Sequence, residues 1–571
     1  MNKLFIFLIG SIFILQGCSS QTAKPAPYEE EPTAYTPGEF NQESLYALLM
    51  AELAGQRRLY PVAFRQYLEQ AKKTQDSAVA ERATRIAQYI RDPDKILQAA
   101  QLWRSISPQS AEPYQLEANI LQHKGLHKEA LPLLTKALES DPLRTLALIR
   151  TQISGLETDI VNNYLEILSD YRQQATSRAD LELTLALLYE KKGDFNNALT
   201  AFDRSLALDS ENPEALIHKA EMLKSSGDAA SALSMIESAV EKQPENRQLQ
   251  ILYTQLLFIE KQNKEGVKQA QTLLTNNAND HQLTFYLALL MLDHQQFDGA
   301  KNALNALFLI RPDDSAPYFY LGHIAQKQEQ IPTAIQHYLK VSHGNNILPA
   351  LSRATGLLNQ PTDKPQVQKI LKEGRAQHPI LNAQLYTLEA EWLNLHNFPR
   401  ESEAILEEAL FISPLDTTLL YTRAMMIEGN NFPQAEKDLR QILKLEPDNA
   451  LVKNALGYTL TLHTTRYEEA LTLIREALNT EPEDPAILDS MGWVLHKLGR
   501  HEEALPYLEK AHQLYSDPEV SSHLIQVYWL LGQKENALSL LKSSSAATPD
   551  NPFLKEAEAV INAPNNGSNP E

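Results

Sequence analysis

The sequence predicts an all-α chain, a solenoid of stacked helical hairpins. Three observations carry this. Small residues recur every 34 positions at Ala198, Ala232, Gly266, Ala300 and Ala334, and each has a small partner twelve positions earlier, at Ala186, Ala220, Thr254, Ala288 and Gly322. Two helices approach to about 8 Å only where small side chains meet, so a repeated pair of such positions marks a repeated helix crossing. Stop and start signals keep the same beat. Gly193-Asp194, Gly227-Asp228 and Gly499-Arg500 suit the left-handed end of a first helix, while Asn212-Pro213, Asp484-Pro485 and Asp517-Pro518 read as a cap followed by proline in the first turn. Glycine is scarce, 20 residues in 571, which disfavours turn-rich β structure.

The elements follow in chain order. The chain opens MNKLFIFLIGSIFILQGCSS, with Lys3 ahead of a 12-residue apolar run, Leu4–Leu15. That run is too short to cross a bilayer and has the layout of a signal-peptide core. Leu15-Gln16-Gly17-Cys18 resembles the bacterial lipobox, although Gln16 is bulkier than the residue usual there. The resemblance implies a signal peptide over 1–17 and a lipid-modified (palmitate-bearing) Cys18, the single cysteine of the chain. Ser19, in place of an aspartate, favours the outer membrane and its periplasmic face. Residues 18–40 carry four prolines and three consecutive glutamates with no apolar period, which predicts a disordered tether.

Residues 41–348 are expected to form an N-terminal helical block, irregular up to 110 and regular beyond. Within it Ala130 stands two periods before Ala198, but the intermediate position is Tyr164, which breaks the small-residue rule. Residues 349–382 carry Pro361 and Pro365 and lack the small pairs, so an irregular hairpin or a bend is expected there. A second repeat block is expected over 383–551, and 552–571 should hold a helix end and a polar tail.

The phrase GRHEEALPYLEKA (499–511) recurs as TRYEEALTLIREAL (465–478), HKEALPLLTKAL (127–138) and SEAILEEAL (402–410). This phrase, with the 34-residue spacing, resembles the tetratricopeptide repeat. The resemblance implies a right-handed superhelix whose first helices line a concave, protein-binding groove. Groove-facing phases would then be the second, fifth, ninth and twelfth residues of each repeat. They select Ile251, Phe258, Phe285, Leu289, Phe319 and His323 in the central repeats, and Tyr458, Asp489, Trp493, His496 and Trp529 in the C-terminal ones. Aromatic anchors among a few polar groups suit protein recognition. The Lys and Arg clamp that some members use for peptide carboxylates is not evident at these phases.

Nothing in the sequence points to chemistry. His501-Glu502 starts like the zinc motif H-E-x-x-H, but Leu505 stands where its second histidine belongs. His123 and His127 flank a helix break at Gly125, and Asp489-Ser490 has no base beside it in sequence. There is no glycine-rich phosphate loop and no nucleophile elbow. No enzyme activity, metal or cofactor is expected. The formal charge of −20 argues against nucleic acid and against electrostatic docking on anionic lipid.

The stretches NALGYTL (454–460), DPAILDSMGWVLHKLGRHEEAL (484–505), AERATRIAQYIRD (80–92) and AAQLWRSISP (99–108) resemble proteobacterial outer-membrane lipoproteins built of tetratricopeptide repeats. Members of that set include the adaptor of a periplasmic carboxy-terminal processing protease, which brings cell-wall (peptidoglycan) hydrolases to the enzyme. The resemblance implies a lipid-anchored scaffold with those protein partners. An assembly factor for a pilus, secretion or polysaccharide-export machine is the alternative.

Overall fold

The computed structural model describes residues 40–174 and 177–563. The leader, Cys18, most of the tether and the last eight residues lie outside the described residues. Among the described residues there are 31 α-helices and three short 3-10 turns, and no strand. The chain divides into two compact units, one ending at Gln269 and the other beginning at Ala270. In each, a helix packs chiefly on the helices just before and after it, as a solenoid requires.

All ten small residues of the 34-residue series are buried. Four positions further on, the larger side chains Phe202, Ile236, Leu304 and Tyr338 are also buried, each with none of its surface exposed. Burying a side chain of that size contributes about 1.5–3 kcal/mol, so each hairpin owes its place to this short repeated set. Glycine answers a want of space at four crossings, at Gly266, Gly322, Gly457 and Gly492. A β-carbon on Gly322 would fall 2.7 Å from the Tyr338 ring, and one on Gly457 would fall 2.6 Å from Ile474.

The predicted ends hold. Gly193, at φ 81°, closes helix Ala179–Lys192. Asn212 accepts from the Ala215 amide, and Asp484 from those of Ala486 and Ile487. The odd unit at Tyr164 has a physical account. Tyr164 is buried in helix Thr158–Gln174, where its hydroxyl accepts from Gln122 Nε2 at 2.8 Å and burial raises its pKa. That helix packs on helices His127–Ser140 and Ala179–Lys192, while the short helix before it, Pro142–Gln152, packs against Ala179–Lys192.

The stretch 349–382 falls on helices Ile347–Gly356 and Lys364–Gln377, joined through the 3-10 turn Pro361–Asp363. Here the close approach is made by Gly374, where an added β-carbon would lie 3.1 Å from Leu351.

Candidate protein-binding surfaces

In the C-terminal repeats the first helices Ala450–His463, Pro485–Lys497 and Pro518–Leu530 stand side by side. Tyr458 and Asp489 share a cavity of about 540 Å3 with Tyr515 and Glu519. The Tyr458 hydroxyl donates to Glu519 Oε1 at 2.5 Å, and burial, then Glu519, pushes its pKa far above the usual phenol range. Asp489 is buried in the cavity wall, with His523 Nδ1 3.0 Å from both of its carboxylate oxygens. The capping carboxylates Asp484 and Asp517 lie at the same rim.

Three residues expected on this surface lie elsewhere. Trp493 is 3% exposed and belongs to the packing beneath it. Its ring stacks on His523 at 3.8 Å and on His496 at 4.6 Å, with Lys497 Nζ 4.3 Å from the ring centre. Its Nε1 has no hydrogen-bond partner among the described residues. Trp529 is half-buried against the last hairpin, in the cluster holding Ile525, Leu554 and Ala557. His496 is half-buried too, and desolvation, then the neighbouring His501 and Lys497, depresses its pKa to about 3.

In the central repeats the expected residues also divide. Phe258 is 1% exposed, and its ring occupies the space left by Gly266, whose added β-carbon would sit 2.9 Å from Phe258 Cε1. It is a packing residue of its own hairpin, not part of a groove. Ile251 lines a cavity of about 590 Å3 in the first unit, beside Ile217 and His218. His218 Nδ1 lies 2.8 Å from Glu190 Oε2, and that contact raises the histidine's pKa.

Leu289, Phe319 and His323 come together in the second unit, around a cavity of about 610 Å3. Phe285 stands at its edge, stacked on His281 at 6.3 Å and edge-on to Tyr320 at 5.3 Å. The same cavity is lined by Lys327 and Arg353. The phase count passed over both cations. Lys327 is one residue beyond the twelfth position of its repeat, and Arg353 belongs to the stretch where the period fails. Basic groups absent from the counted phases are thus present beside this cavity. Among the described residues no cluster of three or more His, Cys, Asp or Glu side chains could hold a metal ion, and no helix is long and apolar enough to cross a membrane.

Family models of the tetratricopeptide repeat match residues 189–256, 427–486 and 462–518. A TPR repeat-containing protein of Pseudomonas aeruginosa is 32% identical over 534 residues, covering 92% of this chain and 90% of the relative. A TPR repeat-containing protein of Bacillus subtilis is 22% identical over 312 residues, 53% of this chain and 72% of its own. Among solved structures, that of Naa15/Naa10 bound to HypK-THB aligns over 91% of this chain and 96% of its own at 13% identity, with a TM-score of 0.41.

Proposed function

The chain belongs to the tetratricopeptide-repeat family, whose repeats are protein–protein interaction scaffolds, and from that premise we propose that it is an outer-membrane-anchored periplasmic adaptor. In this reading Cys18 carries the lipid that holds it to the membrane, and the repeats bring substrate proteins such as cell-wall hydrolases to a carboxy-terminal processing protease. The observation that carries the reading is the pair of aromatic-walled cavities on first helices of the second unit, at Tyr458 and at Phe319. Two separate recognition surfaces on one chain are what an adaptor needs. Holding two partners together raises their effective concentration to the millimolar range, so the scaffold accelerates an encounter without bond chemistry of its own. The lipobox-like leader and the lipoprotein-like motifs at 80–108 and 454–505 support the same reading.

The test is crosslinking in cells followed by mass spectrometry on the full-length, affinity-tagged protein. The adaptor reading expects a processing protease and at least one hydrolase among the crosslinked proteins. Partners without either class would leave the scaffold and remove the adaptor. Mass spectrometry of the N-terminal peptide, expected to start at an acylated Cys18, tests the anchor separately.

A further inference from the structure

The first and last helices are finished differently. The last, Pro552–Asn562, buries Leu554 and Ala557 and turns Lys555, Glu556 and Glu558 to solvent, the polar outer face that a terminal repeat needs. The first, Gln42–Gln56, has no such face. It reads QESLYALLMAELAGQ, with apolar residues on both sides. One side carries Ser44, Leu48, Ala51 and Ala54 and packs on helix Tyr60–Thr74. The other carries Leu45, Tyr46, Leu49, Met50 and Leu53, all between 37% and 66% exposed. At about 100° per residue these five fall in one arc of about 140°, with no acidic residue in it. The two carboxylates of the helix lie outside that arc and are drawn to neighbouring helices. Glu43 pairs with Lys73 and Glu52 with Arg82, each at 3.3 Å, and Tyr67 donates to Glu52 at 2.7 Å. Arg57 and Arg58 stand exposed just past the last turn.

The preceding chain limits what this face can meet. Residues 19–40 separate Cys18 from Asn41, the cap of the helix. At about 3.3–3.6 Å per residue they reach at most ~75 Å, so a lipid on Cys18 keeps the face within that distance of a bilayer. We propose that the exposed apolar face of helix Gln42–Gln56 lies in the surface of the phospholipid bilayer that holds Cys18. The inference goes beyond partner binding and rests on the lipid-anchor part of the reading above. A helix of 15 residues is about 22 Å long, too short to span, so it lies flat and sinks its apolar side chains by about 5–10 Å. Tyr46 suits the headgroup level, and Arg57 and Arg58 reach the lipid phosphates. Entry is driven by apolar burial and not by charge, in keeping with a chain of formal charge −20. The first hairpin then sits on the membrane instead of hanging from Cys18 alone.

Spin labelling of the full-length, acylated protein in vesicles of phosphatidylethanolamine and phosphatidylglycerol tests this. Once Cys18 is acylated, Leu49→Cys supplies the single reactive thiol. A nitroxide there should be relaxed several-fold more by oxygen, which concentrates in lipid, than by a water-soluble nickel chelate. On Leu309→Cys, 87% exposed in the second unit, the order should reverse. Adding Leu45→Asn and Leu53→Asn should return the first label to water, with the helical circular dichroism unchanged. Equal nickel access at the two positions would overturn the assignment. So would a label at 49 shielded from both reagents, the sign of protein cover, with spin–spin broadening if that cover is a second copy. Either result on a chain whose N-terminal peptide carries the lipid leaves the anchor standing and removes this contact alone. An unmodified Cys18 removes both.

Discussion

Gly457 and Ile474 meet with no room between them for a β-carbon, since one built on Gly457 would lie 2.6 Å from Ile474 Cγ1 and 3.0 Å from the carbonyl oxygen of Ala470. Helix propensity alone would favour alanine there by about 1 kcal/mol. Overpacking a close crossing costs about 1–3 kcal/mol, and a backbone carbonyl cannot rotate away. Gly457→Ala should therefore destabilise the C-terminal repeats, by up to about 2 kcal/mol net, in urea unfolding followed by circular dichroism. Gly55, in helix Gln42–Gln56 with nothing within 4 Å of its added β-carbon, is the control. Gly55→Ala should be neutral or stabilising by up to about 1 kcal/mol.

Asp489→Ala should be among the costliest single changes in the C-terminal repeats. It removes the carboxylate held 3.0 Å from His523 Nδ1 and leaves a buried imidazole without its partner. Removing one member of a buried hydrogen-bonded pair costs about 1–3 kcal/mol, and more if the pair is charged. Native-state hydrogen exchange over helices Pro485–Lys497 and Pro518–Leu530 should report faster opening there, with the first unit unchanged.

The C-terminal repeats should lose stability as the pH falls below about 6.5. The His496 pKa, depressed from 6.5 to about 3, means that above pH 6.5 the ring is neutral whether folded or not. Between those two values the unfolded chain takes up a proton that the folded one refuses, so unfolding is favoured progressively. At about 1.4 kcal/mol per unit, the loss reaches ~2 kcal/mol by pH 5. The groups around His496, namely His501, Lys497 and His523, oppose its protonation in the fold. Urea midpoints at pH 7.5 and 5.0 measure the slope, and His496→Gln should flatten it. In the first unit His218 acts in the opposite sense. Its raised pKa, set by Glu190, gives stability that is full below 6.5 and fades as the pH rises through the raised value.

Phe258→Ala and Phe319→Ala should separate packing from recognition. Phe258 is buried against Gly266, and its loss should cost about 3–5 kcal/mol of stability in the first unit. Phe319 is half-buried on the cavity wall, so its removal should cost less and should weaken partner capture instead. Thermal unfolding together with crosslinking yield distinguishes the two.

The scaffold was legible because hairpin stacking repeats one physical problem at one interval. Ala186 with Ala198, and Gly322 with Ala334, announce a close helix crossing wherever they recur, and the structure buries them all. The binding face was only half legible. Counting phases sets the direction of a side chain, but not which neighbour fills the space in front of it. Phe258 points toward the hairpin's own second helix because Gly266 leaves a hole there. Trp493 is drawn under the surface by His496 and His523. A bulky ring at a nominal groove phase, paired with glycine at the matching crossing, was the available clue for Phe258. Arg353 had no clue of that kind. It comes from a stretch outside the 34-residue interval, and only the packing of helix Ile347–Gly356 sets it beside His323.

The left-handed turns at Gly193 and Gly227 lie 34 residues apart and close equivalent joints. A genetic cassette cut at two such joints can be duplicated or deleted and its edges will rejoin in frame with the fold, since each hairpin meets only like neighbours. Unequal crossing-over can therefore lengthen or shorten the array in whole steps. Each step adds or removes one wall of a recognition surface, which gives a lineage a direct route to new clients without rebuilding the interior.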